Sequence, residues 1–115
     1  MNRKFKTVSL EDGMPSIPVA RARLTRELQV ARVSGLVLLK IIHGYGSSGV
    51  GGDLRIALQA TLRQMQERGE VRGCIFGEDW RASDERTWAL MKRFPDLKND
   101  RDLGRSNLGI TIVEL

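Results

Sequence analysis

The chain is poor in the residues that build cross-links and metal centres. Among its 115 residues there is one cysteine, Cys74, and one histidine, His43. A lone cysteine excludes an internal disulfide and any cysteine-based zinc site. Set within an apolar strand, Cys74 reads as an inert buried thiol. Aromatic residues make up only 5% of the chain, which argues against an extended platform for base stacking. No apolar run reaches the roughly 18 residues needed to span a bilayer. The basic start Met1-Asn2-Arg3-Lys4-Phe5-Lys6 is not followed by the apolar core of a signal peptide. With 41% hydrophobic and 29% charged residues, neither disorder nor a membrane class is indicated. One cytoplasmic globular domain with a single core is the expectation.

The first third of the chain is also short of acid. Residues 1–40 carry eight basic side chains (Arg3, Lys4, Lys6, Arg21, Arg23, Arg26, Arg32 and Lys40) against Glu11, Asp12 and Glu27. The remainder is balanced at eleven of each sign, so the whole net charge of +5 lies in that first third. A basic face of this kind attracts polyanions, nucleic acid foremost. The competing reading is a solvated, arginine-rich surface.

Hydrophobic periodicity orders the rest. Residues 7–11 form a strand after the basic leader, and Asp12-Gly13-Met14-Pro15 has turn chemistry. Ser16 is placed to cap a helix whose buried stripe is Ala20, Leu24, Leu28 and Ala31, with Pro18 in its first turn and Gly35 at its end. The apolar run 36–42, interrupted by Lys40, reads as a central strand buried on both faces. Leu54, Leu58, Thr61, Leu62 and Met65 mark a second amphipathic helix, stopped by Gly69. Residues 71–76 form a third strand. Ser83 is expected to cap a helix over 84–93, with Trp88 and Met91 on its packing face. Residues 95–108 look irregular, and 109–115 alternate as a final strand. The order βαβαβ, helical segment, β makes the first three strands mutually parallel, because crossovers are right-handed. The pattern leaves two layers or three open.

The strand 38–42 runs into His43, then a loop carrying Gly44, Gly46, Gly49, Gly51 and Gly52, then a helix opening Asp53-Leu54-Arg55. Free backbone N–H groups at such a junction form a natural anion site. It is not a P-loop, since the Gly-Lys-Ser/Thr ending is absent. Gly44, Tyr45, Gly46, Ser47, Ser48 and Gly49 are candidates to cradle a phosphate, with Tyr45 offering a ring to an unpaired base. Asp53 is the natural cap of the helix, and Arg55 is placed to reach a phosphate. His43 is a candidate general acid or base, a neutral phosphate contact, or a structural tie for the loop. Glu11, Asp12, Glu78 and Asp79 also follow parallel strands and so share this sheet edge. Solvated turn acids explain them best, and no metal site is expected. Trp80 reads as a core or interface anchor.

Taken together, the Ile41-Ile42-His43-Gly44-x-Gly46 segment, Leu54-Arg55 and the closing Gly109-Ile110-Thr111-Ile112-Val113-Glu114-Leu115 resemble the Smr (small MutS-related) domain. The resemblance covers most of a single domain, 1–115, apart from residues 79–108, which stand as an insertion before the final strand. It implies a compact α/β sandwich with a mixed four-stranded sheet, like the C-terminal domain of translation initiation factor three. It also implies nucleic-acid binding, with endonuclease or nicking activity in some members. One motif departs: the family's Asp-Leu-His-Gly after strand one stands here as Ser9-Leu10-Glu11-Asp12-Gly13, in which only Leu10 and Gly13 match, with one extra residue, so the leading acid and the histidine are missing from their motif positions.

The leading expectation is therefore an Smr-like domain that binds RNA or structured DNA. Phosphates would dock on the His43 glycine loop, Arg55, the first-helix residues Arg21, Arg23 and Arg26, and Lys40. No cofactor is expected. The first alternative is an endonuclease, metal-assisted through magnesium or manganese or dependent on His43. The second is a protein-interaction module or homodimer.

Overall fold

A computed structural model describes residues 4–44 and 50–115. Strand β1 (Phe5–Ser9) leads through a turn into helix α1 (Ile17–Val33). Ser16 caps α1, its hydroxyl accepting from the Val19 N–H, and Pro18 sits in the first turn, where a missing N–H costs nothing. The buried stripe is Ala20, Leu24, Leu28 and Ala31, as the spacing predicts. The helix ends in a Schellman motif: the Gly35 N–H reaches the Arg32 carbonyl and the Leu36 N–H reaches that of Ala31. Leu36 is thereby held by the helix, and strand β2 begins later than its apolar run, at Leu38–Ile42.

Helix α2 (Val50–Glu67) closes in the same way around Gly69. It starts earlier than glycine propensity suggests, so Asp53 lies inside its first turn and is not its cap. Strand β3 (Gly73–Phe76), a 3-10 turn (Gly77–Asp79), helix α3 (Glu85–Arg93), a second 3-10 turn (Pro95–Asn99) and strand β4 (Ile110–Glu114) follow. The cap of α3 is Asp84, whose carboxylate accepts from the Thr87 N–H, and not Ser83. Among the described residues no helix is long and apolar enough to cross a membrane.

The sheet is mixed and four-stranded, in the order β1-β2-β4-β3. β1 runs parallel to β2, and β4 runs antiparallel to both β2 and β3. The first three strands therefore point the same way, as right-handed crossovers require. β1 lies two residues earlier than its sequence pattern indicates, because Phe5 pairs with Leu38 and Ser9 with Ile42. Leu10 still donates to the Ile42 carbonyl at 2.8 Å, and Glu11 begins the turn.

Both sheet faces are covered. Leu39, Ile41, Cys74 and Val113 pack with Leu24, Leu28, Leu58 and Leu62 of α1 and α2. Burial pushes the Cys74 thiol up to about 11, consistent with an inert core side chain. On the opposite face, Leu38, Ile75, Ile110 and Ile112 pack with Trp80, Leu90 and Leu97, all from the segment before β4. That segment is the third layer of the fold. It is seated closely: a Cβ on Gly77 would stand 1.7 Å from the Asn107 carbonyl oxygen.

Two expectations change here. α3 buries Thr87 and Leu90, while Trp88 is 50% exposed and lies off the packing face. Lys40, 9% exposed, faces the third layer, with Nζ 2.9 Å from Asp100 Oδ1 and 2.5 Å from Asp102 Oδ2. The Trp80 indole donates to the same Asp100 carboxylate at 2.9 Å, and the Asn107 amide donates to Asp102 at 3.0 Å. Lys40 is an internal latch and presents no charge to a ligand.

Candidate functional site

The C-terminal ends of β1, β2 and β3 share one edge of the sheet, where α/β folds place their ligands. His43 follows β2 there. Its backbone N–H and that of Gly44 both donate to the Gly109 carbonyl, at 2.9 and 3.1 Å, tying this junction to the start of β4. The ring is 1% exposed. Nδ1 lies 2.7 Å from the Gly44 carbonyl and Nε2 lies 2.9 Å from the Thr111 hydroxyl. A carbonyl can only accept, so Nδ1 carries the proton and Nε2 accepts from Thr111. Burial lowers the His43 pKa below its ordinary value. The Arg55 charge acts the same way, against the raising effects of the Gly44 carbonyl and Glu78. The imidazole is therefore neutral near pH 7, with both nitrogens engaged inside the fold.

Gly44 is the residue this junction demands. Its φ is +74°, a left-handed conformation, and a Cβ there would come within 2.3 Å of Glu11 Oε2. Glu11, at the end of the first strand's extension, is thus brought against the His43-Gly44 step. From α2, Arg55 Nη2 donates to Glu78 Oε2 at 2.8 Å. The other faces of this pair, Arg55 Nε and Glu78 Oε1, are buried without a hydrogen-bond partner among the described residues, as is Gln59 Nε2 one turn further along α2.

The α1 arginines divide between two flanks. Arg21 Nε donates to Thr61 of α2 at 3.2 Å, and Arg32 donates to the Glu70 carbonyl just beyond α2. Arg23 reaches the Asp12 carbonyl at 2.8 Å, in the turn after β1. Arg26, one helical turn further along, is exposed on the same flank as Arg23. The edge therefore gathers His43, Gly44, Arg55 and Arg23, with Arg26 adjoining. Lys40 is excluded from it. Tyr45, Gly46, Ser47, Ser48 and Gly49 lie outside the described residues.

Among the described residues, no three His, Cys, Asp or Glu side chains come together as a metal-holding group. Of the four strand-end acids, Glu78 is engaged by Arg55 and Asp12 accepts from the Ser9 hydroxyl. Sequence reasoning missed Thr111, Gln59 and the closeness of Glu11 to Gly44. Only Thr111 left a signal, as a polar residue on an inward position of an apolar strand.

Comparison with solved structures finds the Smr domain of MutS2 from Thermus thermophilus, at a TM-score of 0.55 and 21% identity over 97% of this chain and 96% of that one. This chain has an Smr-like fold. No protein-family model matches the sequence, and no curated protein does. The Smr-like architecture accounts for the edge described above: His43 and Gly44 follow the second of three parallel strands, and α2 carries Arg55 to Glu78 and within electrostatic reach of His43.

Proposed function

We propose that this Smr-like domain binds RNA or structured DNA, without a metal, by docking phosphates at the edge where β1 and β2 end. Arg23 and Arg26 supply the sequence-independent attraction. The Gly44 junction, the glycine loop beyond it and Arg55, whose Nε has no partner among the described residues, set the approach of the strand. The observation that carries this reading is two arginines at one sheet edge, Arg23 on the turn after β1 and Arg55 close enough for its charge to act on His43, on a fold shared with an Smr domain. Binding is favoured over cleavage because both His43 nitrogens are satisfied internally and Glu78 is paired with Arg55. A phosphodiester needs an available base or a metal-bound water.

The test is fluorescence anisotropy with a structured RNA and with a branched DNA, at low salt. Wild type should bind at least one of them, and Arg23→Ala/Arg26→Ala should weaken that binding by about tenfold or more. Absence of binding to both, by protein shown to be folded, would sink the proposal. In parallel, supercoiled plasmid and structured RNA are incubated with magnesium or manganese. They should emerge intact; products that disappear in His43→Ala would establish the nuclease reading instead.

A further inference from the structure

At the opposite end of the sheet, where β3 begins and β4 ends, a cleft of about 270 Å³ opens between α3 and the sheet. Its walls carry three arginines, Arg72, Arg86 and Arg93, and one acid, Glu114. Neither Arg72 nor Arg86 is paired with a carboxylate among the described residues, and Arg93 meets Glu114 only at 3.5 Å. Arg86 is held in place, donating from Nη1 to the Cys74 carbonyl at 3.1 Å. It lies over Gly73, where a Cβ would stand 2.4 Å from Nη2. The floor is apolar, made by Ile75, Leu90 and Ile112.

We propose that this cleft binds a phosphate monoester carried on a flat, weakly polar body: a single 5′-nucleotide unit, free or at the phosphorylated end of a strand. Three guanidiniums against one carboxylate leave two uncompensated positive charges. A phosphate monoester brings nearly two negative charges at neutral pH and three acceptor oxygens, whereas a carboxylate would neutralise only half. A guanidinium fixed before the ligand arrives loses little freedom on binding. The apolar floor takes the base, and the volume, just below the usual range of ligand pockets, limits the ligand to no more than one nucleotide unit. The proposal does not rest on the sheet-edge reading, since the two sites lie at opposite ends of the strands.

Calorimetric titration with adenosine 5′-monophosphate, adenosine and inorganic phosphate tests it. The monophosphate should bind at least about tenfold more tightly than either fragment. Equal affinity for adenosine or for inorganic phosphate would overturn the assignment. Arg72→Glu/Arg93→Glu should abolish binding in protein that still melts cooperatively, and unchanged binding would overturn it. Glu114→Gln removes only a partly exposed ion pair and keeps the test decisive if the double variant does not fold. It should tighten binding by about threefold or more, and unchanged or weaker binding counts against the proposal. To separate the two sources, a 5′-phosphorylated and a 5′-hydroxyl oligonucleotide are compared in the Arg23→Ala/Arg26→Ala background. A preference for the phosphorylated strand identifies strand ends. Binding of the free nucleotide alone identifies a mononucleotide site, and binding of neither ligand refutes the proposal.

Discussion

Replacing Lys40 with methionine removes the cation that, among the described residues, pairs with both Asp100 and Asp102. The Lys40 side chain is 10% exposed, and those of Asp100 and Asp102 are 22% and 15% exposed. Methionine fills much the same volume, so the change is electrostatic and leaves two carboxylates facing each other with little water. Breaking a buried pair by removing one partner costs about 3–5 kcal/mol. Partial exposure of the aspartates places this case near the lower figure, about 3 kcal/mol. A domain of this size is stable by about 5–15 kcal/mol, so Lys40→Met should fold but melt early. Urea denaturation measures the loss. Amide exchange should rise first in residues 94–108, which the latch holds against the sheet. The triple variant Lys40→Met/Asp100→Asn/Asp102→Asn removes the stranded charges and should recover at least half of the loss.

The pH dependence gives the same argument a second arm. Burial alone would raise the Asp102 carboxyl. Hydrogen bonds from Lys40 and Asn107, with the Lys40 and Arg101 charges, outweigh it and hold the group below its ordinary value. A depressed carboxyl contributes stability above its unfolded pKa and loses it as pH falls through the folded one. The difference between wild type and Lys40→Met should therefore be full at neutral pH and shrink below about pH 4, as protonation relieves the stranded acids. A loss under about 1 kcal/mol at pH 7, or one independent of pH, would show that apolar packing alone seats the third layer and refute this account.

Two further outcomes follow from the packing. Gly77→Ala places a methyl 1.7 Å from the Asn107 carbonyl oxygen and 3.1 Å from Ile110 Cγ1. With backbone as the obstacle it should destabilise by at least about 2 kcal/mol in chemical denaturation; a neutral result would mean that the turn shifts freely. His43 is buried neutral with a lowered pKa, so the unfolded chain takes up its proton first as pH falls through about 6.5. Stability should decline from pH 7.5 to 5.5 in wild type and markedly less in His43→Gln, read as urea midpoints.

What the sequence disclosed depended on whether a signal was local. The stripe of α1 and its Ser16 cap are decided within a turn or two of chain, and they could be read directly. The common direction of β1, β2 and β3 followed from the handedness of their crossovers, while the strand order did not. Trp88 was misplaced because a nine-residue helix holds too few turns to separate a stripe at 87 and 90 from one at 88 and 91. The start of α2 was hidden because two of its first three residues are glycines, which weigh against a helix locally while the fold continues it. Lys40 was misjudged for a different reason. Its partners lie 60 residues or more along the chain, and a single lysine in an apolar run carries no mark of whether it will meet acid or water.

The same lesson reshapes the charge argument and yields a sharper prediction than composition allows. Composition puts eight basic residues in the first third, which would suggest many phosphate contacts. The structure divides them. Lys6 meets Glu27 at 3.8 Å and Lys40 is enclosed by two aspartates, so neither is available at full strength. The four α1 arginines donate to carbonyls or a hydroxyl, or stand in solvent, and keep their charge, but Arg21 and Arg32 face α2 while Arg23 and Arg26 lie on the other flank. A stiff duplex can run along one flank at a time. About two phosphates should then be neutralised by α1, and the plot of log binding constant against log salt concentration for a DNA duplex should have a slope near −2. Arg23→Ala/Arg26→Ala should flatten it towards zero, whereas Arg21→Ala/Arg32→Ala should leave it nearly unchanged. A wild-type slope of about −5 or steeper would mean that both flanks engage together, and the division of α1 into a binding flank and a clamping flank would fall.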